Sequence, residues 1–249
     1  MSSAIVVVEI DCAAQAKNMG VAVGESAGDR CRVREVFKCS QMSALIDRVA
    51  SVLGRSSRAL LSLDAPLGWP VALISALQGH GAGRPLGPNA DLLFCRDTDR
   101  EIRTRHALKP LDVGADRIAR VARSALELLE DLRNASGEEI PLLWQPGLDG
   151  RTGAIEVYPK ATLKAHGLPF SGYKGTGSGH REAREDLVAA LRRCISLDPD
   201  TGAMIADDDL LDAAVCVLAG HDFLTRNARA PSNVESCRTE GWIWVRDPS

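Results

Sequence analysis

The first run of apolar positions, Ile5 to Asp11 (Ile-Val-Val-Val-Glu-Ile-Asp), is nearly unbroken rather than alternating. That is the pattern of a strand buried on both faces near the middle of a sheet. A polar turn from Cys12 to Asn18 follows. Then come two short β-rich runs, Met19 to Gly24 and Cys31 to Phe37, separated by the turn signal Gly28-Asp29. Three strands so spaced predict an antiparallel meander. The period then changes: from Gln41 to Gly54 the apolar positions are Met42, Leu45, Ile46, Val49, Val52 and Leu53, which predicts a helix with Gly54 at its C-cap. Ala59 to Leu63 is a further apolar strand closed by Asp64, and Pro66 and Pro70 cannot continue a central ladder. A helix between two strands implies a crossover, so this strand is predicted parallel to the first.

Val71 to Pro110 is the least regular stretch and reads as an insertion with short helices over the sheet edge. Ala115 to Asn134 is amphipathic, with Ile118, Val121, Ala122, Ala125, Leu128, Leu129 and Leu132 on one face. Beyond it the pattern predicts short strands at Pro141 to Trp144 and Ala154 to Tyr158, and a short helix from Ala161 to His166. A Gly-rich loop from Gly167 to Gly179 leads to helices over Arg181 to Ile195 and Ala206 to Arg226, then a last strand at Trp242 to Val245. With no repeat and no linker, residues 1–249 are read as one elaborated domain carrying an insertion at 70–114.

The net charge of −3 excludes a strongly basic, DNA-coating protein, though not a local basic groove. The seven cysteines include no Cys-x-x-Cys pair, and most lie in apolar runs, which favours a reduced, cytoplasmic chain. No signal-like tract opens the sequence and no apolar run is long enough to span a membrane.

The candidate chemistry lies in the acids. Asp11 and Asp64 each end a buried strand, and if those strands are parallel both emerge at the C-terminal edge, where open α/β sheets put their ligands. Asp11 alone admits a plainer job, capping the turn that follows. Glu9 lies two positions before Asp11, hence on the same side of the strand. Asp209 and Asp212 are spaced i, i+3 on the late helix. Asp207 and Asp208 are explained by the helix macrodipole, whereas Asp212 falls among Leu210, Leu211, Ala213, Ala214 and Val215. Glu156 comes late in its strand and either joins the acids or pairs with the basic segment, in which Arg96, Arg100, Arg103 and Arg105 crowd together. Those arginines are either neutralised by Asp97, Asp99 and Glu101 or aimed at phosphate; guanidinium forks near the Asp64 strand end favour Arg96 and Arg100 as phosphate ligands, with Asp99 orienting one of them. Lys174 in the Gly-rich loop and Trp69 beside Asp64 are further candidates for substrate contact. There is no His-Glu-x-x-His, no Walker loop and no nucleophile elbow.

In order along the chain, Ile-Asp11-Cys-Ala-Ala, Leu-Asp64-Ala-Pro-Leu-Gly-Trp-Pro, Arg96-x-x-Asp99-Arg100, Glu156-Val-Tyr-Pro, Gly172-Tyr-Lys, Asp209-Leu-Leu-Asp212-Ala and Glu240-Gly-Trp-Ile resemble the DUF429 family. Its members are described as predicted nucleases of the ribonuclease H-like fold. One departure is Glu9, where a small residue such as Gly is expected; it either adds a carboxylate to the site or forms a local salt bridge. The resemblance implies an α/β fold, a ribonuclease H-like mixed sheet of five strands flanked by helices, with the insertion after the fourth strand. It implies Asp11, Asp64, Glu156 and Asp212 as catalytic acids, and Asp11, Asp64, Asp209 and Asp212 as ligands of Mg²⁺ or Mn²⁺, the hard cations that carboxylate oxygens suit. Two such ions roughly 3.5–4 Å apart can activate water and stabilise a leaving oxygen in phosphodiester hydrolysis. The expected partner is a nucleic acid or nucleotide, RNA or DNA, and the carboxylates of Asp11, Asp64 and Asp212 are expected within one metal-binding radius. Two rivals share the acids: an actin-like or sugar-kinase-like phosphotransferase and a non-catalytic nucleic-acid or nucleotide binding module. The first needs a glycine- and hydroxyl-rich turn after the first strand, and Cys12-Ala13-Ala14-Gln15 has neither.

Overall fold

The computed structural model describes residues 4–87, 89–114, 116–198 and 200–248. The elements are β1 (Ile5–Asp11), β2 (Gly20–Ala27), β3 (Arg30–Phe37), α1 (Met42–Arg55), β4 (Ala59–Asp64), α2 (Val71–Leu77), α3 (Ala90–Phe94), α4 (Asp97–His106), α5 (Asp116–Ser136), β5 (Thr152–Glu156), α6 (Pro159–Ala165), α7 (Ser178–Leu191), β6 (Ser196–Leu197), α8 (Thr201–Ala206), α9 (Asp208–Leu224) and α10 (Val234–Glu240).

The sheet order is β5-β4-β1-β2-β3-β6. The meander β1-β2-β3 is antiparallel, and β4 returns parallel to β1 after the α1 crossover, with Asp11 paired to Asp64 in the register. β5 adds parallel to β4. A three-strand meander, a crossover and further parallel strands make this a mixed α/β sheet of the ribonuclease H-like kind. Its strand β1 is flanked on both sides, as the unbroken apolar run requires.

Alternation along the strands sorts two cores. Val8, Ile10, Leu61 and Leu63 pack with Leu45, Val49 and Leu53 of α1 and with Leu128, Leu129 and Leu132 of α5. Val7 and Ala22 face the other way, against Leu211, Ala214, Val215 and Leu218 of α9. That helix is apolar nearly all round because the sheet covers one side and α6 to α8 cover others.

Several boundaries differ from those the sequence predicts. The helix expected to stop at Gly54 runs through Arg55 and is closed by Ser56, whose backbone N–H reaches the Val52 and Leu53 carbonyls. The strand expected over Ala154 to Tyr158 begins and ends two residues earlier, and Pro159 opens α6 at its first turn, where its missing N–H costs nothing. The segments at Pro141 to Trp144 and Trp242 to Val245 are not strands. Each contributes single bridges, Leu142 to Ala154 and Ile243 to Glu156, so they share the outer edge of β5 between them. The two-residue strand β6 makes the sheet six-stranded, and α8 precedes α9; both are too short to show a period. The helix expected from Ala206 divides at Asp207, whose carboxylate accepts from the Asp209 and Leu210 N–H groups and so starts α9 afresh. Ala115 lies outside the described residues, and α5 is described from Asp116. Among the described residues no helix is long and apolar enough to cross a membrane.

Candidate functional site

Asp11 and Asp64 leave the sheet side by side at its C-terminal edge and line a cleft of about 360 Å³ with Pro110, Leu111, Tyr158 and Lys174. Asp212, in the second turn of α9 and 1% exposed, faces the same place from behind. Its Oδ1 accepts from the Tyr173 hydroxyl at 2.7 Å, and its Oδ2 lies 2.5 Å from Lys174 Nζ. Burial raises the pKa of all three acids; Asp64 and Asp212 push Asp11 further, Asp212 and Glu156 push Asp64, and for Asp212 the Lys174 ammonium and the Tyr173 hydroxyl pull back. Asp64 is pushed up to about 7, with the Lys174 ammonium opposing burial. Lys174 is raised in turn by Asp212, Asp64 and Asp11, against its own burial.

The three acids share the edge, but as they stand their oxygens do not all lie within 4.8 Å of one another, so the expectation of a single metal-binding radius is not met without movement of these side chains. Among the described residues the three-acid group with ligand atoms within 4.8 Å of one another is Asp207, Asp208 and Asp209. Asp11, Asp64 and Asp212 stand wider, with Lys174 in reach of all three. Asp209 is held by Lys38 at 2.6 Å, which also binds Asp207 at 2.7 Å, so it borders the site already neutralised. Lys38 and Tyr173 are the residues that sequence reasoning did not single out. Tyr173 sits inside the Gly172-Tyr-Lys motif and was there to be read; Lys38 carries no signal beyond its place after β3.

Glu156 and Arg96 form something else. Arg96 is 2% exposed. Its Nε and Nη2 donate to Asp99 at 3.1 and 2.9 Å, its Nη1 and Nη2 to Glu156 at 2.9 and 2.7 Å, and Nη1 also to the Glu240 carbonyl at 3.0 Å. A guanidinium has five N–H donors, and these contacts use them all. The expectation that Arg96 holds a substrate phosphate is therefore corrected: no donor remains for one. The expected metal role of Glu156 meets the same difficulty, since both its oxygens accept from Arg96 and one also from the Leu67 N–H at 2.9 Å. Of the two readings of Glu156, pairing with the basic segment is the one observed. The clamp extends to Glu240, whose two oxygens accept from the Val71 and Asp97 N–H groups and so cap α2 and α4 together. Gly241, at φ +79°, closes it: a Cβ there would lie 2.8 Å from Glu156 Oε2.

Arg100 is half-buried, donating to the Cys95 carbonyl and to Asp97. Trp69 is half-buried, and its backbone N–H donates to the Thr239 carbonyl; it is not among the residues lining the cleft. Of the expected substrate contacts, only Lys174 faces the acids.

The DUF429 family model, described as a protein of unknown function, matches residues 10–236. The chain belongs to the DUF429 family. The motifs of this DUF429 chain thus divide in two: Asp11, Asp64, Lys174 and Asp212 make the acid edge, and Arg96, Asp99, Glu156, Glu240 and Gly241 make the buried clamp beside it. No curated protein matches the chain. Among solved structures, RuvC of T. thermophilus in complex with a Holliday junction substrate is 14% identical, over 89% of this chain and 95% of that one, with a TM-score of 0.35. The Aquifex aeolicus member of the Ppx/GppA family is 9% identical, over 99% of this chain and 95% of that one, with a TM-score of 0.16. Likenesses this low carry no weight for the chemistry, and the fold assignment rests on the strand order itself.

Proposed function

We propose that this chain is a metal-dependent phosphodiester hydrolase acting on nucleic acid, with Asp11, Asp64 and Asp212 as its ion-binding acids. The observation that carries this reading is the uncompensated charge at the sheet edge. Three acids, each raised by burial and Asp11 and Asp64 further by neighbouring carboxylates, share one lysine. Structural acids elsewhere in the molecule are matched by arginines and backbone donors. The donor set fits a hard divalent cation: all oxygens, no sulfur or imidazole, and a lysine ammonium already standing in for positive charge.

Such an ion supplies a lowered pKa for a bound water and charge stabilisation at the phosphate. The chain's own residues do the rest. Asp11 and Asp64, fixed on paired rigid strands, present their carboxylates to the cleft. Tyr173 fixes the rotamer of Asp212. Lys174 balances the acids and faces the cleft, where an ammonium suits a phosphate oxygen. The clamp around Arg96 holds the chain leaving β4 and β5, and so sets where Asp64 emerges.

The test is cleavage of labelled single- and double-stranded DNA and RNA with Mg²⁺ or Mn²⁺ and with chelator. Cleavage is expected only with the ion, and Asp11→Asn, Asp64→Asn and Asp212→Asn are each expected to lower it by about 100-fold. Ion-independent cleavage, or full activity in Asp64→Asn, would refute the assignment. Ion binding with no cleavage of any of these substrates would leave a binding module.

A further inference from the structure

Beneath the acid edge lies a second polar layer. Along β1 and β4 the side chains facing α9 come in register pairs: Val7 with Leu60, Glu9 with Ser62, Asp11 with Asp64. The stripe of α9 above this seam is Asp212, Cys216 and Gly220, at four-residue spacing. Gly220 has no room for a side chain, since a Cβ would lie 2.7 Å from Val7 Cγ1 and 3.1 Å from Ser62 Oγ. The helix is therefore pressed onto the two strands, and Glu9 and Ser62 are sealed beneath it, both 0% exposed.

Neither Glu9 oxygen and not the Ser62 hydroxyl has a hydrogen-bond partner among the described residues. The Cys216 thiol lies near enough to favour the charged carboxylate weakly, without the geometry of a full hydrogen bond, while burial and the neighbouring acids disfavour it. Buried acids elsewhere in the molecule are satisfied: Glu156 by Arg96, and Asp222 by His166 at 2.7 Å. Buried side-chain oxygens almost always find partners. Two adjacent ones with no stronger neighbour than a thiol, in the field of three further carboxylates, form a setting that a hard cation would satisfy. A carboxylic acid kept neutral would settle by donating its proton to a neighbour, and Ser62 beside it would supply or accept a hydrogen bond; neither contact is made.

We propose that Glu9 is a fourth carboxylate of the cation site, forming with Ser62 its inner wall, so that a hard divalent ion held by Asp11 and Asp64 would draw the Glu9 carboxylate toward it from beneath, closer than these oxygens stand without it. This rests on the reading of Asp11, Asp64 and Asp212 as ion-binding acids. It goes beyond that reading by placing a ligand inside the sheet, on β1 itself.

The experiment titrates the full chain with Mn²⁺ and follows the free ion by electron paramagnetic resonance, so that no substrate is needed. Glu9→Gln keeps the shape and removes the charge; it is expected to raise the Mn²⁺ Kd by about tenfold or more, and Ser62→Ala by about threefold. Asp64→Asn is the control for the parent reading. If Asp64→Asn abolishes binding while Glu9→Gln binds as the wild type does, Glu9 is no ligand and this inference falls alone. If Asp64→Asn also binds normally, the parent reading falls with it. Should Glu9→Gln fail to fold, Glu9→Asp carries the test. It retains the charge but withdraws it by one methylene, so weaker binding is expected and unchanged binding would overturn the proposal.

Discussion

Two glutamates occupy comparable depths in this sheet and meet opposite fates. Glu156 ends β5, 3% exposed, and is enclosed by a bidentate arginine and a backbone N–H. Glu9 sits in the middle of β1, 0% exposed, with neither oxygen satisfied. Burial alone pushes both pKa values up. For Glu156 the Arg96 charge and hydrogen bonds pull back; for Glu9 the neighbours are Asp11, Asp64 and Asp212, which push the same way. The difference teaches how to sort buried acids. One with a complete set of donors is part of the scaffold, and one left among like charges marks where the molecule expects a ligand.

The comparison is sharpened most by breaking the satisfied side. Arg96→Ala leaves Asp99 and Glu156 buried and unpaired, and is expected to destabilise the fold by about 3–5 kcal/mol, read as a large loss in chemical denaturation. Glu9→Gln, at equal depth, is expected to cause no such loss. Equal destabilisation by the two would erase the distinction.

A smaller effect is expected from pH. Glu9, Asp11, Asp64 and Asp212 all have folded-state values above their unfolded ones, so the folded chain binds more protons. Their contribution to stability is complete below the unfolded values, near pH 4, and is lost as pH rises through the folded ones. For Asp64 that window closes at about 7. With chelator present, the melting temperature is expected to fall by roughly 5 °C between about pH 5 and about pH 8. Asp64→Asn should flatten the fall. A melting temperature that rises across this range would show the acids to be well compensated.

The smallest effect is at Arg100, which is partly exposed and paired to Asp97 on the same helix. Arg100→Ala is expected to cost about 1 kcal/mol or less and to leave Mn²⁺ affinity unchanged. A large loss of nucleic-acid binding in that variant would restore Arg100 to the substrate path.

Much of this was legible in the chain. An unbroken apolar run ending in Asp11, a helical period, and a second run ending in Asp64 force a parallel pairing and bring both acids to one edge. Asp212 betrayed itself by lying among leucines and alanines. For Arg96 the sequence left the choice open between a phosphate and the local acids or Glu156, and only the folded chain, which brings Glu156 across to join Asp99, decides it. The segments at Pro141 and Trp242 read as strands because their residues suit one; that they divide a single edge between them depends on tertiary neighbours. Glu9 was conspicuous in sequence, but whether it joined the site or formed a local salt bridge depended on α9, more than two hundred positions away, which seals it among the acids with no basic partner among the described residues.

The clamp also bears on the order of events as the chain folds. Arg96 reaches 60 positions forward to Glu156 and 144 to the Glu240 carbonyl, and Gly241 fits only against both. The meander and α1 form from neighbours, but closing loops of this length defers the rest. A growing polypeptide can therefore neutralise Arg96 with Asp99 and then Glu156, but the Glu240 carbonyl and the caps that Glu240 gives to α2 and α4 wait until its last tenth emerges. The acid edge can take its final shape only late, which ties competence at one end of the sheet to completion of the other end of the chain.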